Sequence, residues 1–149
     1  MDLILWRHAD AEDGAPDRAR KLTPKGERQA ERVARWLDKH LGARRRILAS
    51  PARRAQQTAA ALAGDFETHT ALEVGASARS VLAAAGWPGD EDSVVVLVGH
   101  QPTLGEAAAL ALAGHTAAVH LKKGAFVWIA AREAATEVTL RAALAPDLL

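Results

Sequence analysis

Cysteine is absent from this chain of 149 residues. Its absence excludes disulfide bonds, catalysis by a thiolate, and zinc or iron–sulfur sites built on cysteine. A marked excess of charge is also lacking, because 19 lysines and arginines face 18 aspartates and glutamates, which gives a net charge of +1. This balance argues against binding to nucleic acid or to a membrane surface through bulk electrostatic attraction.

Long hydrophobic runs are missing as well. The most apolar segments, at 94–98 and 107–113, are too short to span a bilayer. No basic stretch followed by an apolar one stands at the N-terminus, so no signal peptide is evident and we expect a cytoplasmic protein. With no internal repeat and no low-complexity tract, residues 1–149 are expected to form one domain.

The order of strand and helix signals predicts an α/β sandwich around a mostly parallel sheet. Short apolar runs at 3–6 and 94–98 are typical of strands buried on both faces, and the second is predicted to be central. Helices are predicted to begin at Thr23-Pro24, at Ser50-Pro51 and at Gln101-Pro102-Thr103. The other predicted elements are strands at 47–49, 66–72, 125–130 and 137–142, the last two forming a hairpin or an antiparallel edge, and a short helix around 81–85.

Three of the predicted strands end in polar residues that share one chemistry. The first ends in Arg7 and His8, the second in Ser50 with Arg54 in the following turn, and the central strand in His100. Because ligands bind beyond the carboxyl ends of parallel strands, we expect these groups to converge at one edge of the sheet. Arginine matches phosphate oxygens with a planar fork of donors, and a helix N-terminus adds free N–H groups.

This set of residues predicts a site for phosphoryl transfer. A neutral imidazole attacks phosphorus directly, and neighbouring cations keep it neutral because they disfavour its protonated form. The same cations stabilise the negative oxygens of the transferring group. Isolated histidines more often have structural roles, and we assign such roles to those with no matching partners nearby, namely His40, His69, His115 and His120.

A metal site is an alternative interpretation of the same strand ends. His8, Asp10 and His100 are of residue types that ligate zinc or iron. Arg7 and Arg54 would repel a cation there, so we expect a site with no metal and no cofactor.

Four motifs, in order along the chain, resemble those of the histidine phosphatase superfamily, which also contains the cofactor-dependent phosphoglycerate mutases. Together they cover residues 3–102, and four ordered motifs are far more specific than any one of them. The motifs are Leu5-Trp6-Arg7-His8-Ala9, Leu22-Thr23-Pro24-Lys25-Gly26, the segment from Ser50-Pro51 through Arg54 and Ala55 to Gln57-Thr58, and Val98-Gly99-His100-Gln101-Pro102.

The resemblance implies a three-layer α/β/α sandwich of the phosphoglycerate mutase-like type. By motif position, His8 is the expected nucleophile, and Arg7, Arg54 and His100 complete the expected phosphate pocket. Ser50, which opens the motif that carries Arg54, is expected to contribute to phosphate binding.

Ala9 departs from the usual signature of the superfamily, which has glycine there. Together with the short chain, this substitution looks most like the SixA-type phosphohistidine phosphatases. Mutases and sugar-phosphate phosphatases of the superfamily carry an insertion with a glutamate that acts as general acid. Here about 40 residues separate Arg54 from Val94, which is too few for that insertion.

Glu73 is the candidate for a general acid by its position in the chain, and Asp10 and Glu12 are weaker candidates nearer to the nucleophile. The lack of a dedicated acid would itself be informative. An imidazole, with a pKa of about 6.5, leaves far more easily than an alkoxide. A phosphohistidine substrate therefore tolerates an enzyme without such an acid.

We therefore predict a metal-independent cytoplasmic phosphatase that works through a phosphorylated His8. Its expected substrate is phosphohistidine on a protein, such as a phosphotransfer domain, and its expected product is inorganic phosphate. A phosphomonoesterase for a small metabolite, with the same site, and a phosphate-binding module without catalysis are the alternatives. A mutase is disfavoured because the insertion is missing, and no nucleic acid or membrane partner is expected.

Overall fold

A computed structural model describes the backbone of residues 1–149 and every side chain except that of Ala134. Strands and helices alternate over the first two thirds of the chain, and two strands follow. In chain order the elements are β1 (Asp2–Arg7), α1 (Pro24–His40), β2 (Arg46–Ala49), α2 (Arg53–Leu62), β3 (Glu67–Thr68), α3 (Ala78–Ala85), β4 (Val94–Gly99), α4 (Thr103–Ala113), β5 (Phe126–Arg132) and β6 (Glu137–Leu144).

The strands form one six-stranded sheet in the order β3-β2-β4-β1-β5-β6. The first four in this order are parallel, whereas β5 is antiparallel to β1 and β6 is antiparallel to β5. The mostly parallel sheet, the central β4 and the closing hairpin are thus confirmed. The hairpin joins the sheet at the edge formed by β1; the sequence alone did not indicate which edge it would join.

Helices cover both faces of the sheet. Along β1, Leu3 and Leu5 pack into a core with residues of α3 and α4, whereas Ile4 and Trp6 pack on the other face with residues of α1 and α2. All four side chains have 0% exposure. Because successive side chains of a strand point to opposite faces, a continuous apolar run is needed to fill both cores. The three-layer α/β/α sandwich is therefore confirmed.

Helix α1 begins where the sequence predicts. The Thr23 hydroxyl accepts a hydrogen bond from the Gly26 amide at 3.0 Å, and Pro24 occupies the first helical position. Its apolar stripe, which includes Ala30, Val33 and Leu37, is buried against the sheet. Neither α1 nor any other helix in the described part of the chain has the length and apolarity needed to cross a membrane.

Two predicted boundaries were wrong. Of the strand predicted at 66–72, only Glu67–Thr68 pairs with β2, and Thr70–Leu72 forms a 3-10 turn because the His69 ring accepts a hydrogen bond from the Ala71 amide. Helix α2 begins at Arg53 rather than at Ser50. These boundaries depend on side-chain hydrogen bonds that periodicity does not show.

Close packing at the start of α1 gives a test of the fold. A Cβ atom at Gly26 would overlap the carbonyl group of Asp10, two residues after His8. We expect Gly26→Ala to lower the free energy of unfolding by about 1–3 kcal/mol, since the helix would have to shift. Urea denaturation measures the change. Gly42→Ala is the matched control, because that position is open, and equal effects of the two substitutions would contradict the packing.

Candidate active site

The carboxyl ends of β1, β2 and β4 lie side by side at one edge of the sheet. Arg7 of β1 is opposite Gly99 of β4, and β2 runs parallel on the other side of β4. Since the three strands point the same way, the residues that follow them emerge together, and the predicted convergence is confirmed. These residues are His8, Ser50 and His100.

A cleft of about 310 Å³ opens at this edge, and we call it the first cleft. It combines imidazole and guanidinium groups with only one carboxylate. Its lining residues are Arg7, His8, Ala11, Asp17, Arg20, Arg54, Val74, His100, Gln101 and Lys123.

His8 is 7% exposed, and its two ring nitrogens have different partners. Nδ1 lies 2.7 Å from the carbonyl oxygen of Ala9, which only accepts, so we assign the ring proton to Nδ1. The Arg54 Nε–H donates to Nε2 of His8 at 3.3 Å. This assignment leaves the lone pair on Nε2, the nitrogen beside the guanidinium group.

Ala9, which replaces the usual glycine, is fully buried and fits without conflict. Its amide donates to the Thr58 hydroxyl at 3.1 Å, and this hydroxyl donates to the Arg54 carbonyl at 2.8 Å. The His8 amide donates to the Gly99 carbonyl at 3.0 Å. The backbone that carries His8 is thus tied to both β4 and α2.

Arg54 is buried, with 3% exposure, and Asp17 holds its far end. One terminal nitrogen donates to the Asp17 carbonyl oxygen at 2.8 Å, and the other donates to the Asp17 carboxylate at 3.1 Å. Asp17 in turn accepts from Nε of Arg20 at 3.0 Å. A guanidinium group has five N–H donors, so Arg54 keeps two for a ligand in the first cleft.

His100 is 4% exposed and is oriented by Ser50. The Ser50 hydroxyl lies 2.7 Å from Nε2 of His100 and accepts a hydrogen bond from the Ala52 amide at 3.2 Å. We assign the hydroxyl proton to the bond with His100, which places the ring proton of His100 on Nδ1. Ser50, predicted to contact phosphate, therefore lies behind the imidazole and does not line the first cleft.

Two buried nitrogens of the site have no hydrogen-bond partner among the described residues. They are Nε of Arg7 and Nδ1 of His100. A terminal nitrogen of Arg7 donates to the Leu121 carbonyl at 2.7 Å, which fixes the guanidinium at the mouth of the cleft. Buried polar groups are nearly always paired, so two unpaired donors on one cleft indicate a ligand that accepts hydrogen bonds.

Both imidazoles are held neutral. The pKa of His8 is lowered to about 3, mainly by burial; His100, Arg54 and Arg7 contribute to the lowering, whereas the hydrogen bond to Ala9 acts in the opposite direction. The pKa of His100 is lowered to about 4, mainly by burial and next by the charge of Arg54. The two ring centroids are 5.2 Å apart. The first cleft therefore pairs an unprotonated imidazole with cationic donors, a combination that suits attack on an anionic phosphoryl group.

Glu73, the predicted general acid, does not line the first cleft. Its carboxylate accepts from Arg18 at 2.6 Å, and the pair is exposed at a neighbouring cleft that Ser50 also lines. The structure thus brings Arg7, His8, Arg54 and His100 together and leaves Glu73 outside.

Asp10 and Glu12, the weaker acid candidates, also lie outside the first cleft. The Asp10 carboxylate accepts from Thr23 at 2.7 Å and from Lys123 at 2.7 Å, and Glu12 is exposed on another surface. Asp10 therefore does not join the two imidazoles as a metal ligand. Among the side chains that the structure describes, no group of three or more histidine, aspartate or glutamate residues is arranged to hold a metal ion.

Three charged residues that line the first cleft carry no motif that would have marked them in the sequence, namely Asp17, Arg20 and Lys123. Asp17 and Arg20 lie in a loop with no periodic pattern. Lys123 comes from a segment more than 100 residues further along the chain, and it pairs with Asp10, from which 113 positions separate it. The three-residue spacing of Asp17 and Arg20 was the one local signal, and it is too common to be informative alone.

Comparisons with known proteins agree with this geometry. A family model described as histidine phosphatase superfamily (branch 1) matches residues 3–81. An uncharacterised protein of Picosynechococcus sp. is 39% identical over 140 residues, covering 85% of this chain and 83% of that protein. The chain belongs to the histidine phosphatase superfamily.

Solved structures place this superfamily member in the phosphoglycerate mutase-like fold. A protein assigned as the phosphohistidine phosphatase SixA of Nakamurella multipartitia matches with a TM-score of 0.82 at 26% identity, covering 97% of this chain and 95% of that one. A protein histidine phosphatase SixA complexed with tungstate matches with a TM-score of 0.81 at 23% identity, covering 99% of each chain. A phosphoserine phosphatase of Entamoeba histolytica has the same fold, with a TM-score of 0.74 at 19% identity over 99% of this chain and 98% of that one. The superfamily and these neighbours support a phosphatase.

The neutral imidazoles predict an acid-sensitive fold. In the unfolded chain a histidine takes up a proton near pH 6.5, whereas the folded pKa values of His8 and His100 are about 3 and about 4. The unfolded state therefore binds more protons below pH 6.5, and stability falls as the pH drops from there towards 4. We expect a loss on the order of 1–2 kcal/mol per imidazole between pH 7 and pH 5.

Urea denaturation at pH 7 and pH 5 measures this loss. His100→Gln should reduce the difference between the two pH values. His115→Gln, at an exposed position, should leave it unchanged. An NMR titration in which the His8 or His100 ring protonates near pH 6.5 would contradict the neutral assignment.

Proposed function

We propose that this protein is a phosphohistidine phosphatase that dephosphorylates a histidine of another protein through a phosphorylated His8. The observation that supports this most is the ring of His8, which is buried and neutral, with its Nε2 lone pair next to Arg54. A nucleophile of this kind is suited to attack on phosphorus and not to binding alone. Inorganic phosphate is the proposed product, and the cytoplasmic location and the single domain stay predictions.

In the first proposed step, the Arg54 Nε–H turns from Nε2 of His8 to a phosphoryl oxygen, which frees the lone pair of Nε2. Nε2 then attacks the phosphorus atom, and the bond from phosphorus to the substrate imidazole breaks. Arg7 and Arg54 donate to the phosphoryl oxygens, and Nδ1 of His100 supplies a further donor. The substrate ring leaves as a neutral imidazole when its other nitrogen carries a proton. The carbonyl of Ala9 stabilises the positive charge that His8 gains.

In the second proposed step, water attacks phospho-His8. The bond between phosphorus and Nε2 breaks, His8 regains its lone pair, and both protons of the water stay on the released dihydrogen phosphate. Arg7, Arg54 and His100 hold the oxygens in this step as in the first. Because they are fixed by Leu121, Asp17 and Ser50, they need little rearrangement as the charge moves.

The first cleft lacks a proton donor for a poor leaving group. Asp17 is the one carboxylic acid among its lining residues, and its hydrogen bond with Arg20 holds the pKa of that carboxyl below its usual value. An ionised carboxylate cannot protonate an alkoxide. A phosphohistidine needs no such acid, because a ring with a pKa near 6.5 is already a good leaving group. The chemistry of the cleft thus favours a phosphoramidate substrate over an ester.

The edge of the sheet is also open enough for a protein substrate. Between α2 and β4 the chain forms only the short β3, one 3-10 turn and α3. It therefore carries no long insertion in this region to cover the first cleft. A phosphohistidine that projects from a folded protein has a short side chain, so its enzyme must present the nucleophile close to the surface.

A panel of substrates tests the proposal in the presence of a chelator. We expect turnover of a phosphohistidine-bearing phosphotransfer protein, and rates at least tenfold lower for phosphate esters such as phosphoserine. Release of inorganic phosphate measures both. Turnover of esters alone would identify a small-metabolite phosphomonoesterase. Phosphate binding without any turnover would identify a non-catalytic module, and loss of turnover in chelator would revive the metal alternative.

The nucleophile has its own test. His8→Ala should abolish the acid-labile phosphoenzyme and lower kcat by about a thousandfold or more, since no other described imidazole takes its place. Rapid quench with labelled phosphohistidine protein measures both quantities. His115→Ala, at an exposed position far along the chain, is the matched control. Labelled enzyme in the His8→Ala variant would show that the nucleophile is assigned wrongly.

A further inference from the structure

A second cleft, of about 530 Å³, adjoins the first and is not used by the chemistry above. Arg7 and Lys123 line both clefts, so the two are continuous. The second cleft is also lined by Lys25, from the first turn of α1, and by Lys122, from the loop before β5. Asp147, near the C-terminus, also lines it.

The cations of the second cleft outnumber its anions. Four cationic side chains and two carboxylates line it, whereas the whole chain has a net charge of only +1. Both carboxylates are already held by lysines, since Asp10 pairs with Lys123 at 2.7 Å and Asp147 pairs with Lys122 at 3.3 Å. Lys25 has no salt bridge among the described residues, so it adds a free positive charge to the cleft.

Lys25 is unfavourably placed for the stability of its helix. It occupies the second position of α1, where the exposed N–H groups already form the positive end of the helix dipole. A cation there is destabilising, yet it raises the positive potential of the cleft. This placement points to a role in binding an anion outside the catalytic centre.

The cationic side chains of the second cleft indicate which kind of anion it binds. Apart from Arg7, the cations here are lysines, and Lys122 and Lys123 are 67% and 50% exposed. A lysine is a point charge on a flexible stem, whereas fixed bidentate capture of a phosphate favours arginine. Mobile, solvated lysines suit carboxylates whose positions vary, as on the surface of an acidic protein.

We infer that the second cleft is a docking subsite for acidic side chains that flank the phosphohistidine of the substrate protein. The inference rests on the proposed function, because it places the phosphoryl group in the first cleft. The enzyme's own Asp147 occupies part of the subsite, and its carboxylate competes with the carboxylates of the substrate for Lys122. The Lys122–Asp147 pair is exposed, and such pairs are weak enough to exchange readily.

Two phosphohistidine peptides that differ only in four flanking glutamates or four flanking glutamines test the subsite. We expect the enzyme to prefer the glutamate peptide by roughly three- to tenfold in kcat/KM at low ionic strength. The preference should shrink in 0.5 M salt because exposed charges are screened. No preference in the wild-type enzyme, or one that salt leaves unchanged, would overturn the inference.

Substitutions that are expected to change the preference for the glutamate peptide in opposite directions test where the subsite lies. The double variant Lys25→Gln with Lys122→Gln should bring the preference close to one, whereas Asp147→Asn should raise it about twofold by freeing Lys122. Lys39→Gln is the matched control for charge, since it lies about 21 Å along α1 from Lys25. A preference that is the same in all three variants would overturn the inference.

Loss of folding is separable from loss of docking. Lys25→Gln relieves the repulsion at the helix N-terminus, so its Tm should rise by about 1–3 °C while the preference falls. Calorimetry with peptides that carry a non-hydrolysable phosphohistidine analogue tests docking without turnover. If neither natural peptide is hydrolysed, the proposed function fails, while tighter binding of the glutamate analogue still supports the subsite. Equal binding of the two analogues would overturn it.

Discussion

The hydrogen bond from Arg54 to Nε2 of His8 is the interaction on which the rest of the site depends. It joins a buried cation to a buried imidazole and exists only while the acceptor nitrogen carries no proton. A buried charge is costly unless its donors are matched, and the carbonyl and carboxylate of Asp17 supply the other partners. The same interaction therefore requires an unprotonated Nε2, and the pairing with Arg54 accounts for the carboxylate of Asp17 beside the two imidazoles.

The fold keeps this arrangement in place through the backbone. The His8 amide is bound to Gly99, and the Ala9 amide to Thr58, which is bound in turn to the Arg54 carbonyl. The first bond joins the neighbouring strands β1 and β4, the second joins the end of β1 to α2, and the third lies within α2. Groups positioned on rigid strand ends need little reorganisation during a reaction, which is the condition under which electrostatic stabilisation is most effective.

Charge is divided between the two clefts by residue type. Arginines line the first cleft, where three guanidinium groups have defined partners, and lysines extend the positive surface into the second. Planar arginine forks fix one phosphoryl group, whereas lysines accept anions in many positions. The phosphoryl transfer proposed for His8 thus uses the fixed geometry of arginine, whereas the docking inferred for Lys25 and Lys122 uses the flexibility of lysine.

The sequence was a good guide wherever the signal was local. Short apolar runs predicted β1 and β4, Thr23-Pro24 predicted the start of α1, and the polar ends of three strands predicted that His8 and His100 meet. It failed where individual side-chain hydrogen bonds decide, whether local or long-range. The His69 cap that ends β3 and the bond that turns Ser50 towards His100 have no periodic pattern, so each prediction at these residues needed correction.

By itself, the amino-acid sequence determined the α/β layering, the superfamily and the meeting of Arg7, His8, Arg54 and His100 at one edge of the sheet, because hydrophobic period and motif order are written along the chain. Tertiary structure alone decided that Asp17 holds Arg54 and that Glu73 stays outside the cleft. It also decided that Lys123 meets Asp10 across more than 110 residues. Such contacts depend on how separate elements pack, and packing brings together residues that share no local pattern.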